Sequence, residues 1–203
     1  MNTENLPAPS IFLIIGLGNP GRQYRETRHN IGFLAIDHLA ERLEVKFSRV
    51  QLRALVTDTR FQGQRILLAK PQTYMNESGV SVASLMKFYK IPLENVLVAH
   101  DDVDLPFGIL RLRPGGGSAG QKGVASIIAR LGTQEFPRLR LGIGHPPGSK
   151  LAAAYVLQEF SRDEAEQLPA VLDRAVEAAL AFVTEGLDAA MNQYNGPGNE
   201  NDD

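Results

Sequence analysis

The sequence predicts an α/β fold with an open sheet. Short apolar runs read as buried strands, stretches of helical spacing lie between them, and polar constellations follow directly on two of the runs. Residues 11–15 are continuously apolar and end at Gly16, which marks a strand. Residues 31–43 carry Ile31, Leu34, Ala35, Leu39 and Leu43 near helical spacing, with Asn30 placed to cap the helix. Residues 52–60 and 65–70 flank Gln62-Gly63 and read as a hairpin; residues 80–89 then place Val82, Leu85, Met86 and Tyr89 on one helical face. Residues 96–100 form a further buried strand, and 109–113 alternate apolar and basic residues as a half-exposed strand does. A glycine-rich loop, 115–123, leads to a short helix over 124–131, and 139–143 is the next strand. After Pro146-Pro147-Gly148, residues 151–157 read either as a strand or as a lid. Ser161 with Glu164 makes a capping box that opens a long acidic helix, and Pro169 falls near its first turns or kinks it. Residues 1–9 read as an N-terminal extension, 10–194 as a single domain, and 195–203 as a polar, disordered tail.

Composition narrows the function classes. With 203 residues, 43% of them hydrophobic, the chain buries one sizeable core. No apolar run is long enough to span a bilayer, and the first residues lack the basic-then-apolar pattern of a secretion signal, so a cytoplasmic location is expected. The absence of cysteine removes disulfides, thiol nucleophiles and cysteine-ligated zinc, and the four histidines do not fall at metal-ligand spacing; neither metal nor cofactor is expected. The net charge of -2 hides a division along the chain. Residues 108–150 carry seven basic side chains against one acidic, whereas 159–203 carry eleven acidic against two basic. That asymmetry suggests an anionic partner for the middle segment, or solvated charges balanced in space by the acidic helix.

The chemistry is concentrated in Gly-Leu-Gly-Asn-Pro-Gly at 16–21, Arg-His-Asn at 28–30 and His-Asp-Asp at 100–102. In an open α/β sheet the carboxyl ends of the strands form a crevice, which brings Asn19, His29 and Asp101 toward one rim. An imidazole with an unperturbed pKa of about 6.5 can accept a proton in the cell, and a carboxylate on its other nitrogen fixes the tautomer and raises its basicity. Two other patterns compete. Residues 16–21 match the dinucleotide fingerprint Gly-x-Gly-x-x-Gly, but the next helix starts only near Ile31, too late to aim its N-terminus at a pyrophosphate. Residues 116–120 match Gly-x-Ser-x-Gly, which would make Ser118 a nucleophile with His145 following it in a hydrolase-like order. His38, His100 and His145 read as structural.

Taken together, the segments are more specific. Ile-Ile-Gly-Leu-Gly-Asn-Pro-Gly, Tyr24 with Thr-Arg-His-Asn-Ile-Gly-Phe at 27–33, Lys-Pro-Gln-Thr-Tyr-Met-Asn-Glu-Ser-Gly at 70–79, and His-Asp-Asp-Val-Asp-Leu-Pro-Phe-Gly at 100–108 resemble the bacterial peptidyl-tRNA hydrolase family in order and spacing. The likeness runs from about Ile11 through Pro146. It implies a three-layer α/β/α single domain with a mixed, twisted central sheet, usually a monomer, that cleaves the ester between a peptide and the terminal adenosine of tRNA. By motif position it implies that His29 is the base and Asp101 the carboxylate behind it. Asn19 falls on the residue that tells a blocked from a free aminoacyl end. Tyr24, Tyr74 and Asn76 fall on substrate-contacting positions, and Arg113 and Arg140 on positions that present cations to tRNA phosphate. One stretch departs from the family: where its members commonly have Gly-His-Asn-Gly, this chain has Gly120-Gln121-Lys122-Gly123, so Lys122 stands where relatives place a substrate-binding asparagine. A lysine there meets phosphate as a point charge. Some relatives of this fold are RNA-processing cofactors, so a binding module without turnover is the second reading; the presence of both His29 and Asp101 argues for the enzyme.

Overall fold

Seven strands form one sheet in the order β2-β3-β4-β1-β5-β7-β6 in the computed structural model, which describes residues 11–146 and 151–196. In chain order the elements are β1 (Ile11–Gly16), α1 (Ile31–Arg42), β2 (Arg49–Gln51), β3 (Ala54–Phe61), β4 (Gln64–Pro71), α2 (Ser78–Tyr89), β5 (Val96–Asp102), β6 (Leu110–Arg113), α3 (Lys122–Leu131), β7 (Arg138–Gly142), α4 (Ala152–Tyr155), α5 (Arg162–Glu185) and α6 (Leu187–Tyr194). The expected extension at 1–9, most of the proline break and the tail from 197 lie outside the described residues. β1 runs parallel to β4 and β5, and β5 parallel to β7, while β3 and β6 are antiparallel to their neighbours, so the sheet is mixed.

Side-chain alternation divides the interior into two layers, one on each face of the sheet. Ile14 of β1 and Leu97 and Ala99 of β5 join α1, α5 and α6 in one core; Leu13, Ile15, Val96 and Val98 join Val82 and Leu85 of α2 and Val124 and Ile127 of α3 in the other. The arrangement is the three-layer α/β/α sandwich expected. β1 lies between β4 and β5, with α1 and α2 on opposite faces, so the carboxyl ends of these strands flank a crevice at a topological switch point.

Several elements depart from the expectations, each for a local reason. β2 escapes the sequence pattern because its hairpin to β3 turns through Leu52 and Arg53, both at positive φ (51° and 61°), where a turn would favour glycine or asparagine. Asn30 does precede α1, yet it makes no cap: its amide reaches back to the Asn19 backbone. Residues 151–157 contain the short helix α4, and the chain then docks beside the turn at 28–30. The capping box at Ser161 and Glu164 is present, and Pro169 is accommodated inside α5. Gly186, at φ 88°, separates α5 from α6. Asn195, at the head of the expected tail, pairs its side-chain amide with both backbone groups of Leu112 on the edge strand β6.

Candidate active site

Three carboxyl strand ends supply the site. After β1 the chain turns at Asn19; after β4 it passes Tyr74 and Asn76; β5 itself ends on His100, Asp101 and Asp102, all buried. The 28–30 turn carries His29 in from the front. Its backbone is pinned: the Arg28 N–H donates to the Gln158 carbonyl at 2.9 Å and the His29 N–H to that of Val156 at 2.8 Å. Arg28 strengthens this dock from below. Its guanidinium pairs with Glu164 at 2.5 Å, donates to the Glu159 carbonyl, and lies 4.5 Å over the Tyr155 ring. Asn30 closes the other side, accepting from the Asn19 N–H at 2.8 Å and donating to the Asn19 carbonyl at 2.9 Å.

These constraints bring His29 Nδ1 within 2.8 Å of Asp101 Oδ2, at 8% and 3% residue exposure respectively. A buried carboxylate takes a proton donor, so Nδ1 carries the hydrogen, and in the neutral ring Nε2 is then the acceptor. The pair sits at the wall of a cavity of about 650 Å³ whose lining includes Asn19, Tyr74, Asn76, Gln121, Lys122 and Val156. The Asn19 Oδ1 accepts from the Met75 N–H at 2.8 Å, which orients the amide and turns its NH₂ into the group on offer. Tyr74 and Asn76 stand exposed at the rim. α4 and the residues after it complete one wall with Ala152, Ala153, Val156 and Leu157.

Behind Asp102 lies a second cavity of about 280 Å³, lined by His100, Asp102, Arg113, Arg138, Arg140 and the glycine loop. Its charge follows from register. Alternation puts the leucines of β6 and β7 in the core and leaves Arg111 opposite Arg140 and Arg113 opposite Arg138. Like charges facing across strands repel, so the protein disperses them. Arg140 donates its Nε to Asp102 at 2.6 Å. Arg138, only 3% exposed, donates to the carbonyls of Gly117 and Gln134 and lies 4.3 Å over the Phe136 ring. Burial pushes the Arg138 guanidinium below its ordinary value, against the pull of Glu135. Arg113 stays exposed. A buried His100 completes the wall. Burial pushes its imidazole down, while its hydrogen bond to the Asp101 carbonyl and the nearby carboxylates pull the other way.

Not every candidate joins the cavity. Tyr24 lies half-buried on the turn ahead of Thr27 and is not part of the lining. Ser118 does line both cavities, yet among the described residues no histidine is hydrogen-bonded to its Oγ, and His145 faces Asp104 at 3.5 Å instead. The glycines at 16–18 approach neighbouring protein: a Cβ on Gly16 would meet the Gly32 carbonyl oxygen at 2.1 Å, and one on Gly18 would meet the Phe33 ring at 2.7 Å. These glycines are therefore required by the close approach of α1 to the end of β1. Two contributors were hidden in the sequence. Gln121 was visible only as a departure from a family pattern, and Arg138 only as one positive charge among seven.

The sequence model of the Peptidyl-tRNA hydrolase family matches residues 13–202. The chain belongs to that family. A peptidyl-tRNA hydrolase of Chloroflexus aggregans is 51% identical over 186 residues, covering 91% of this chain and 99% of its own. One from Desulfitobacterium hafniense is 49% identical over 183 residues, covering 90% and 98%. The crystal structure of peptidyl-tRNA hydrolase from Acinetobacter baumannii superposes with a TM-score of 0.86 at 36% identity, covering 93% of this chain and 97% of that one. The activity of the family is hydrolysis of peptidyl-tRNA, and this chain has a peptidyl-tRNA hydrolase fold with a buried His–Asp pair at the crevice where that fold opens.

Proposed function

We infer that His29 and Asp101 carry the hydrolysis, with water as the nucleophile. The carrying observation is the 2.8 Å contact between His29 Nδ1 and Asp101 Oδ2 at the wall of the larger cavity. In this reading His29 Nε2 takes a proton from water as the oxygen attacks the ester carbonyl joining the acyl group to the terminal ribose. The tetrahedral oxyanion is met by the side-chain amides of Asn19 or Asn76. Collapse breaks the acyl–oxygen bond, the proton on His29 passes to the departing ribose oxygen, and the products are free tRNA and a carboxylic acid that gives up its proton to solvent. Asn19 also binds the acyl chain and distinguishes a blocked amine from a free one, with Tyr74 at the rim beside it and Tyr24 farther out along the substrate.

Cations supply the tRNA contacts. Arg113 and Arg140 flank the second cavity and are assigned to acceptor-stem phosphate. Lys122 occupies the first position of α3, where the helix dipole disfavours a cation by about 0.3–1 kcal/mol. A bound phosphate offsets that cost. Lys122→Asn is therefore expected to make the slope of log affinity against log salt shallower by about one, read by tRNA binding from low to physiological salt. An unchanged slope removes Lys122 from the phosphate contacts.

All of these groups come from one chain, which supports action as a monomer. Among the described residues no helix is long and apolar enough to cross a membrane, and the substrate class supports a cytoplasmic location. The test is release of free tRNA from N-acetylated aminoacyl-tRNA, with little turnover when the amine is free. Ser118→Ala is expected to keep the parent rate, since water rather than the hydroxyl attacks. Loss of turnover in that variant, with inactivation by a serine-directed acylating reagent, would replace this reading with a covalent one.

A further inference from the structure

The Asp101 carboxylate has two oxygens, and only one faces His29. The other, Oδ1, accepts from Gln121 Nε2 at 3.0 Å. Gln121 is 8% exposed and its amide is held at both ends, because Oε1 accepts from the Val124 N–H at 2.8 Å and thereby caps α3. The Met75 sulfur lies 3.2 Å from the same Nε2. Reversing the amide would set its oxygen against a carboxylate oxygen and its NH₂ against a helix N–H, losing both bonds. The orientation is therefore dictated by the contacts: a neutral donor that never titrates points at Asp101, and the helix terminus holds it there.

We propose that Gln121 is a positioning residue for hydrolysis, acting through Asp101 to present Oδ2 to His29. The inference rests on the His29–Asp101 reading above and adds a third member to it. The connection runs from the α3 N-terminus to Gln121, then Asp101, then His29, so the loop that carries the family departure at 120–123 reaches His29 through two hydrogen bonds. A donor on one carboxylate oxygen favours the ionised form and stops rotation of the group. Without it, Asp101 keeps a buried oxygen with no partner, and the carboxylate is free to turn away from His29. The other charges around the pair are Lys122 at the start of α3, Asp102 with Arg140 on β5 and β7, and Arg28 with Glu164 between the turn and α5. His100 adjoins through the Asp101 carbonyl. None of these is altered by substitution at 121.

Gln121→Glu removes the donor and keeps the cap, because a glutamate still offers an oxygen to the Val124 N–H while presenting an acidic oxygen to Asp101; its added negative charge acts on the pair as well, so Gln121→Met, which adds none, is read beside it. It is expected to lower kcat at neutral pH by about tenfold or more with a much smaller change in KM. The acid limb of the kcat/KM profile moves to higher pH by about one unit or more. Gln121→Met removes donor and cap together without adding a charge, and it should shift the limb in the same direction with a lower melting temperature, which is the reading that the added charge of the glutamate variant cannot produce. The His29 ring titration followed by NMR in substrate-free protein gives the same shift without relying on turnover. Parent kcat and an unmoved His29 titration in Gln121→Glu would overturn the proposal and leave Gln121 as a helix cap alone. Failure of the hydrolytic reading shows elsewhere, as full activity in a protein lacking His29, whatever residue 121 does to the titration.

Discussion

His29→Ala is expected to hydrolyse N-acetylated aminoacyl-tRNA at least about a hundredfold more slowly than the parent while binding tRNA with near-parent affinity. The separation follows from where the two kinds of group sit. The proton acceptor proposed is a nitrogen of the buried His29, whereas the cations assigned to phosphate, Arg113, Arg140 and Lys122, lie on β6, β7 and α3. Removing the ring takes away the base and leaves Asp101 Oδ2 without its donor, so some loss of stability accompanies the loss of rate. His29→Asn divides the two effects. Its amide N–H stands where Nδ1 stood and can serve Asp101, but it has no basic nitrogen, so the rate should stay as low as in the alanine variant while the melting temperature recovers. Equal hydrolysis by parent and His29→Ala would leave a family fold that binds RNA without using this pair.

The closeness of His29 and Asp101 was legible in the sequence because each adjoins a segment whose local pattern is strong. Asp101 closes a continuous apolar strand, and His29 stands just before an amphipathic helix. What escaped are relationships between distant positions. Nothing local in Gln121 announces that its amide meets a carboxylate 20 residues earlier. Asn30 has the right chemistry for a cap, yet its amide is spent on the backbone of Asn19, 11 residues away, where it fixes the loop whose side chain lines the cavity. Charge counting cannot see depth. Arg138 and Arg140 counted toward a basic surface, but one is buried under the glycine loop and the other pairs with Asp102, so less of the middle segment's charge is free for an anion than its sum implies. The segment at 151–157 lacked a pattern because its place is decided by the backbone of residues 28 and 29, which it meets only in three dimensions.

The same reasoning gives Gly32→Ala the largest expected effect on stability. Gly32 is the second residue of α1, and a Cβ there would lie 2.5 Å from the Ala99 carbonyl oxygen and 2.6 Å from both the nitrogen and the carbonyl oxygen of Leu17. All three are backbone atoms of the β1–β5 region, where the Leu17 N–H donates to Ala99 at 2.9 Å, so no rotamer change relieves the clash. The helix must move outward. A loss of about 3 kcal/mol is expected, read as a lower urea midpoint at unchanged slope, since overpacking against a rigid backbone sits at the upper end of its usual range. Gly117→Ala is the control, because its Cβ would meet nothing within 4 Å, and it should change stability by less than about 0.5 kcal/mol. The consequence for function is geometric. α1 begins one residue after Asn30, and the turn bearing His29 travels with it, whereas Asp101 is anchored in β5. An outward shift of even an ångström lengthens the His29–Asp101 contact, so the variant should lose rate beyond what its folded fraction explains. A Gly32→Ala protein with parent stability would mean that α1 is free to move off the sheet, and that the close approach of glycine to strand is not what holds His29 to its carboxylate.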